Sequence, residues 1–213
     1  MKIIKKLGVL FTIYLIISSC SHKLGSSWTK EGYYGDTFTK IAVIGISDNL
    51  KARNEFEKTA VQKLADQGYN AIEGVTIFPP KMTKEKLTPE NLIAIIKENK
   101  VDAVITISLI DSKENSRYKH GQDYVMPGGY YRVGKYVVRR YETIRTPGYY
   151  VPSKSYLIEA ILYNLKEEIY KGKETVVWTG QSSLIDPSSI ESAASSFTNK
   201  MVHHLVNDSI LKK

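Results

Sequence analysis

The chain holds one cysteine among 213 residues, and that scarcity excludes a good deal. No disulfide can form within it, so the fold must stand on its core even in an oxidising compartment. Histidine is almost as sparse: His22, His120, His203 and His204. His203 and His204 are adjacent and diverge by about 100° on a helix. They read as boundary side chains near a helix C-terminus rather than as a converging metal set. No GxSxG elbow occurs, and Gly45-Ile46-Ser47-Asp48-Asn49 lacks the glycine spacing of a nucleotide fingerprint. The sequence thus implies no metal, no cofactor and no catalytic constellation.

Long apolar runs are missing too. Spanning hydrocarbon takes about 20 apolar residues. The longest run, residues 7–17, is closer to half that. It follows Lys2, Lys5 and Lys6 and ends in Ser18-Ser19-Cys20. A basic start, a short apolar middle and small residues at the cut mark a secretory signal. The segment Ile17-Ser18-Ser19-Cys20 resembles the bacterial lipobox. That resemblance implies cleavage before Cys20, a diacylglycerol thioether on its sulfur and often a third acyl chain on the new amine. Each buried methylene contributes about 0.8 kcal/mol, so two or three chains hold a protein firmly where one does not. The expected location is the cell envelope, at the outer membrane, facing the periplasm, since no acidic run follows the cysteine.

Charge of one sign is in modest surplus. Without residues 1–19 the chain has 27 basic and 22 acidic residues, a net +5. That suits an anionic membrane surface and argues weakly for nucleic acid, which is not expected as a partner.

Residues 20–39 are polar, hold three glycines and read as a tether. A globular domain then fills 40–213. Residues 41–46 are a continuous apolar run, as in a strand covered on both faces. A helix follows, capped by Asp48 or Asn49, with Phe56, Ala60, Leu64 and Ala65 inward and Gly68 as its stop. Residues 71–78 read as a second strand. Thr88-Pro89-Glu90 opens a second helix, with Leu92, Ile95 and Ile96 inward. Residues 102–110 read as a third strand. Residues 156–165 and 175–182, the latter with Trp178 as core, form a hairpin about a turn near Gly172. Ser188 and Glu191 make a capping box before a last helix facing inward through Ile190, Ala194, Phe197, Met201 and Leu205. The expectation is one α/β domain with a mixed sheet of about five strands: βαβαβ, an antiparallel hairpin and a C-terminal helix.

An insert at about 113–153 stands apart. Glycine and proline break it, and residues 132–145 can form an extended hairpin arm. Tyrosine and arginine together suit binding surfaces. The candidate binding residues are Tyr130, Tyr131, Arg132, Tyr136, Arg139, Arg140, Tyr141, Tyr149 and Tyr150. Membrane contact, glycan stacking and simple self-packing over the sheet are the alternatives. Asp111, Glu114 and Glu159 are the carboxylates a hydrolytic site would need. Glu159 interrupts an apolar strand and so calls for a partner, an arginine of the insert or a sheet edge.

Several motifs carry a wider likeness: Val101-Asp102-Ala103-Val104, the Tyr/Gly-rich insert, Glu159-Ala160-Ile161-Leu162-Tyr163-Asn164-Leu165, Val177-Trp178-Thr179-Gly180-Gln181-Ser182 and Asp186-Pro187-Ser188-Ser189. With them the chain resembles a group of uncharacterised bacterial outer-membrane lipoproteins. The first half also resembles the N-terminal domain of TolB-type envelope proteins, a likeness of fold. The resemblance implies an envelope location and assigns no chemistry. The reading is a lipid-anchored envelope protein, leaning towards a non-enzymatic scaffold or binding module that meets another envelope component through the insert. A glycan- or peptidoglycan-binding lipoprotein and a carboxylate hydrolase are the alternatives.

Overall fold

A computed structural model describes residues 23–80, 88–133, 136–166 and 175–213. The chain runs β1 (Ser26–Thr29), β2 (Asp36–Thr37), β3 (Ile41–Ile46), α1 (Leu50–Asp66), β4 (Ala71–Glu73), α2 (Gly74–Ile77), α3 (Pro89–Glu98) and β5 (Ala103–Lys119). It continues through β6 (Asp123–Val133), β7 (Tyr136–Arg145), β8 (Tyr149–Asn164), β9 (Val176–Ile185), α4 (Ile190–Asn207) and β10 (Leu211–Lys212). Six strands form one mixed sheet in the order β1-β9-β8-β5-β3-β4. The pairs β3–β4 and β3–β5 are parallel; β5–β8, β8–β9 and β9–β1 are antiparallel. The α/β class and the hairpin of β8 with β9 are as the sequence predicts. The sixth strand is β1. The sequence reads residues 20–39 as a tether, but from Ser26 the chain hydrogen-bonds along β9 instead. Cys20 and the turn near Gly172 lie outside the described residues.

Local rules account for most of the helices. Asn49 Oδ1 accepts from the Ala52 N–H at 3.1 Å, capping α1, and Gly68 (φ +85°) leaves it through the left-handed region. Thr88 Oγ1 caps α3 at 3.3 Å. At α4 the cap falls one residue later than expected: Ser189 Oγ, not Ser188, accepts from Ser192 N–H at 3.1 Å.

The core lies between one sheet face and the helices α1 and α4. Ile41, Val43, Ile105 and Leu162 from the sheet meet Ala60, Leu64, Phe197, Met201 and Leu205. A fully buried aliphatic or aromatic side chain contributes about 1.5–3 kcal/mol. Trp178 fills the centre, as expected, and Gly180 makes room for it; a Cβ there would stand 2.4 Å from the indole. A smaller cluster, Ala42, Val104 and Ile77 with Ile95 and Ile96, lies on the opposite face.

One helical and one strand expectation fail here. Ala65 is exposed, while Glu57 is completely buried on the inner side of α1. The strand expected over 71–78 stops at Glu73 and turns into α2. Glu57 links the two facts. Its carboxylate accepts from Gly45 N–H (2.9 Å), Val75 N–H (2.6 Å) and Arg53 Nε (2.8 Å). It thereby serves a strand end, the first turn of α2 and an arginine whose Nη2 also donates to the Phe78 carbonyl at 3.0 Å. Gly74 is needed beside it, since a Cβ would lie 2.8 Å from the Val43 carbonyl oxygen.

Removing one partner of a buried, hydrogen-bonded charge pair costs about 3–5 kcal/mol. Glu57→Ala should lower stability by about that much in urea unfolding followed by tryptophan fluorescence, while the exposed Lys58→Ala stays within about 0.5 kcal/mol.

Candidate functional site

Strands β5 and β8 outlast the sheet. Strand β9 ends at Ile185, opposite Ser155, and β3 ends at Ile46, opposite Ser108. Beyond the Lys113–Ser155 rung β5 and β8 pair only with each other, through six more rungs to Lys119–Tyr149. At about 3.3 Å per residue that is a ribbon about 20 Å long. Every β5 side chain from Ser112 to Lys119 is exposed. A second antiparallel ladder, β6 with β7, takes over from Asp123–Arg145 to Val133–Tyr136. The insert is therefore neither loop nor sheet cover. It is a projecting two-stranded arm.

A clamp fixes its root. Asp186, at φ +47°, accepts from Lys154 N–H (2.7 Å) and Ser153 Oγ–H (3.0 Å), and its own N–H donates to the Lys154 carbonyl (2.8 Å). Arg117 Nη2 stands 3.9 Å away. The Lys154 N–H and the Ser153 hydroxyl, helped by Arg117 and Lys119, hold the Asp186 carboxyl below its usual 3.8. Across the ladder Lys154 Nζ meets Glu114 at 2.6 Å. At the joint between the two ladders two glycines are obligatory. A Cβ on Gly121 would fall 1.7 Å from the Thr146 carbonyl oxygen, and one on Gly148 would fall 2.0 Å from the Tyr118 hydroxyl. Beyond the joint Arg145 forks onto Asp123 at 2.8 and 3.0 Å, a bidentate pair that locks the register.

Of the candidate binding residues, Tyr149 and Tyr150 are 57 % and 71 % exposed on the arm. Tyr150 packs against Tyr118 at 5.1 Å between ring centroids, and Tyr118 meets His120 edge-on at 5.0 Å. Tyr130, Tyr131, Arg132, Tyr136, Arg139, Arg140 and Tyr141 occupy the β6–β7 ladder, where Tyr130 pairs with Arg139 and Tyr131 with Val138. Their side chains lie outside the described residues. The sequence reading misses Tyr124, Met126 and Ile144. Tyr124 and Ile144 face each other across the ladder, Met126 follows on the same face, and all three are half exposed. One sequence signal points there: Asp123 and Arg145 sit eleven residues either side of Gly134.

The three candidate carboxylates are each taken up by a different neighbour, and Glu114 stands far from Glu159. Asp111 pairs with Lys113 at 3.1 Å, Glu114 with Lys154, and Glu159 accepts from Gln181 Nε2 at 2.8 Å. Glu159 stands opposite Ser108, six residues along β5 from Glu114. That is about 20 Å at strand spacing, beyond the ~9.5 Å limit for paired catalytic carboxylates. Glu159 needs no arginine. It is half-buried in a polar row across the sheet, in which Ser26 Oγ–H also donates to Gln181 at 3.3 Å. A groove of about 440 Å³ lies where the end of β3 and the first half of β5 meet the N-termini of α1 and α4, lined by Ile46, Phe56, Ile107, Leu109, Ile158 and Ile190 among others. Lys51 and Glu191 join the two helix starts at 2.9 Å, which holds the Glu191 carboxyl down at about 2. Among the described residues no three His, Cys, Asp or Glu side chains group as metal ligands. None of the described helices is long and apolar enough to cross a membrane.

No family model matches the chain, and no curated protein does. Solved structures similar to it include a variant PelC dodecamer from Paraburkholderia phytofirmans, at 15 % identity and TM-score 0.41, covering 84 % of this chain and 96 % of that one. A second PelC dodecamer from the same organism aligns at 11 % identity and TM-score 0.40, covering 88 % and 99 %. The lipoprotein GNA1162 from Neisseria meningitidis aligns at 16 % identity and TM-score 0.39, covering 79 % and 99 %. Likenesses this distant carry no functional inference, so function is argued from this chain's own residues.

The root clamp has a pH signature. Asp186 titrates below its ordinary value in the folded protein, so its contribution is complete above 3.8 and is lost as pH falls through the lower folded value. The Lys154 amide should stay protected from hydrogen exchange as pH falls to 3.8 and open only as pH falls through the lower folded value, whereas Asp186→Asn should leave protection independent of pH there.

Proposed function

We propose that the chain is a lipid-anchored protein of the bacterial envelope, held at the outer membrane through Cys20 and facing the periplasm. Its α/β domain is a platform and its arm is the binding element. The arm carries this reading. Ordering a residue costs about 1–2 kcal/mol of backbone entropy, and a ribbon with both faces in water regains little of that by burial. Here the ribbon is nonetheless built with a clamp at its root, two obligatory glycines at its joint and a forked Arg–Asp pair beyond. Exposed tyrosine, methionine and isoleucine on such a scaffold form a contact surface.

A glycan-stacking surface fits less well. Tyr118 and Tyr150 pack tilted on each other at 57° rather than side by side as a flat platform. The hydrolase reading is weakened by the separation of Glu114 from Glu159 and by the engagement of Asp111 with Lys113 and of Glu159 with Gln181. The proposal is therefore of a non-enzymatic protein.

Two measurements test it. Mass spectrometry of the mature N-terminus should find Cys20 first and acylated; an unmodified thiol there contradicts the anchor. A photo-crosslinking residue at Tyr124 or Tyr149 should give adducts with another envelope molecule, and the same residue at Asp66 should not. Equal adducts at all three sites, or none, would remove the arm from the proposal.

A further inference from the structure

The tether and the arm leave the domain at the same end. Strand β1 runs antiparallel to β9, with Ser26 opposite Gln181. Traced back from Ser26, the chain heads towards Ile185, the last residue of β9, where the arm begins. Gly25 N–H donates to the Gln181 carbonyl at 2.8 Å, and Leu24 packs on the core. The chain is thus held on the sheet almost as far as Lys23.

The remaining length is short. Four residues lie between Gly25 and Cys20, five steps along the chain and a reach of at most about 18 Å. Gly25 lies beside Ser182, three residues short of Ile185, or about 10 Å. Cys20 therefore extends at most about 8 Å past the end of β9 along the strands. The arm extends about 20 Å past it in the β5–β8 ladder, and the β6–β7 ladder adds about 35 Å of strand. With the strands upright on a bilayer the arm meets the headgroups before the domain does. With the strands tilted it lies along them.

Charge points the same way. Residues 111–157 hold nine basic and four acidic residues; the rest of the mature chain holds 18 of each. The entire net charge of +5 thus sits on the arm and its root. A Lys or Arg near an anionic surface contributes about 1 kcal/mol. Tyr124, Met126 and Ile144 supply the apolar and aromatic face that suits the interfacial zone.

From this juxtaposition of a short tether, a longer basic arm and an exposed apolar patch, we infer that the arm docks on the bilayer that holds Cys20, with anionic lipid as its partner. The inference rests on the proposed anchor and names what the arm binds.

The test uses the full lipidated protein in vesicles of phosphatidylethanolamine and phosphatidylglycerol. The thioether occupies the sulfur of Cys20, so Met126→Cys, Ile144→Cys and, as control, Asp66→Cys each carry the only free thiol. Each is labelled with a polarity-sensitive fluorophore and read against nitroxide-bearing lipid. The labels at 126 and 144 should shift to the blue and lose most of their emission, and the label at 66 should do neither. Vesicles without phosphatidylglycerol should weaken the quenching. A protein that floats with the vesicles while its arm labels stay unquenched overturns the inference and leaves the anchor standing. Quenching that appears only when envelope proteins are added back makes the partner a protein and also overturns it. A protein that neither floats nor carries acyl chains on Cys20 ends both proposals, and the mass of its N-terminal peptide tells that failure from the other two.

Discussion

Past the rung of Lys113 and Ser155 the chain has one ladder of hydrogen bonds, and among its described residues most side chains are exposed, Ser153 at the root being buried. A two-stranded ribbon has no second layer, so its side chains cannot form a core, and an isolated hairpin is marginal in water. Everything distinctive about the molecule follows from how that deficit is met. Polar contacts do the work of packing: Asp186 grips Ser153 and Lys154 where the sheet ends, Glu114 holds Lys154 from the opposite strand, and Arg145 forks onto Asp123 farther out. Exposed ion pairs are individually weak, about 0–1 kcal/mol. Here they set register and direction rather than supply bulk stability. The ribbon is thereby held in register, with Tyr124, Met126 and Ile144 left half exposed on it.

The domain behind it is built on different terms. Between the sheet and the helices α1 and α4, stability comes from burial, with Trp178 seated over Gly180 and Phe197, Met201 and Leu205 closing from α4. The polar exception is Glu57. A carboxylate with no exposure would be costly alone, but two backbone N–H groups and Arg53 satisfy it. Because those groups come from β3, α2 and α1, the one side chain ties together three elements distant in sequence. This base carries the arm and offers a groove at the starts of α1 and α4.

Much of the base was legible in the chain. The apolar run 41–46, the Asn49 and Thr88 caps and the helical stripe through Ala194, Phe197, Met201 and Leu205 are local signals, and local physics decides them. Apart from the α4 cap, which falls on Ser189 rather than Ser188, the misses were non-local. The role of Glu57 has no local signal, because the N–H groups it serves lie 12 and 18 residues away. Glu159 looked stranded because its neighbours are apolar, yet Gln181 of β9 and Ser26 of β1 complete a polar row. Ser112-Lys113-Glu114-Asn115-Ser116 has no apolar alternation, so the strand seemed to stop at Ile110; its pairing with β8, not its composition, carries it on to Lys119. The arm's composition set it apart from the domain. Its direction, set by where β1 and β9 leave Gly25 and Ile185, was invisible until the register was known.

Neutron reflectometry of the lipidated protein on a supported bilayer is the most direct test of the whole arrangement. The account predicts protein density within the headgroup layer, thin and continuous with a denser slab immediately above it. A water-filled gap between the headgroups and the first protein density would mean that the arm points away from the membrane, contradicting the account.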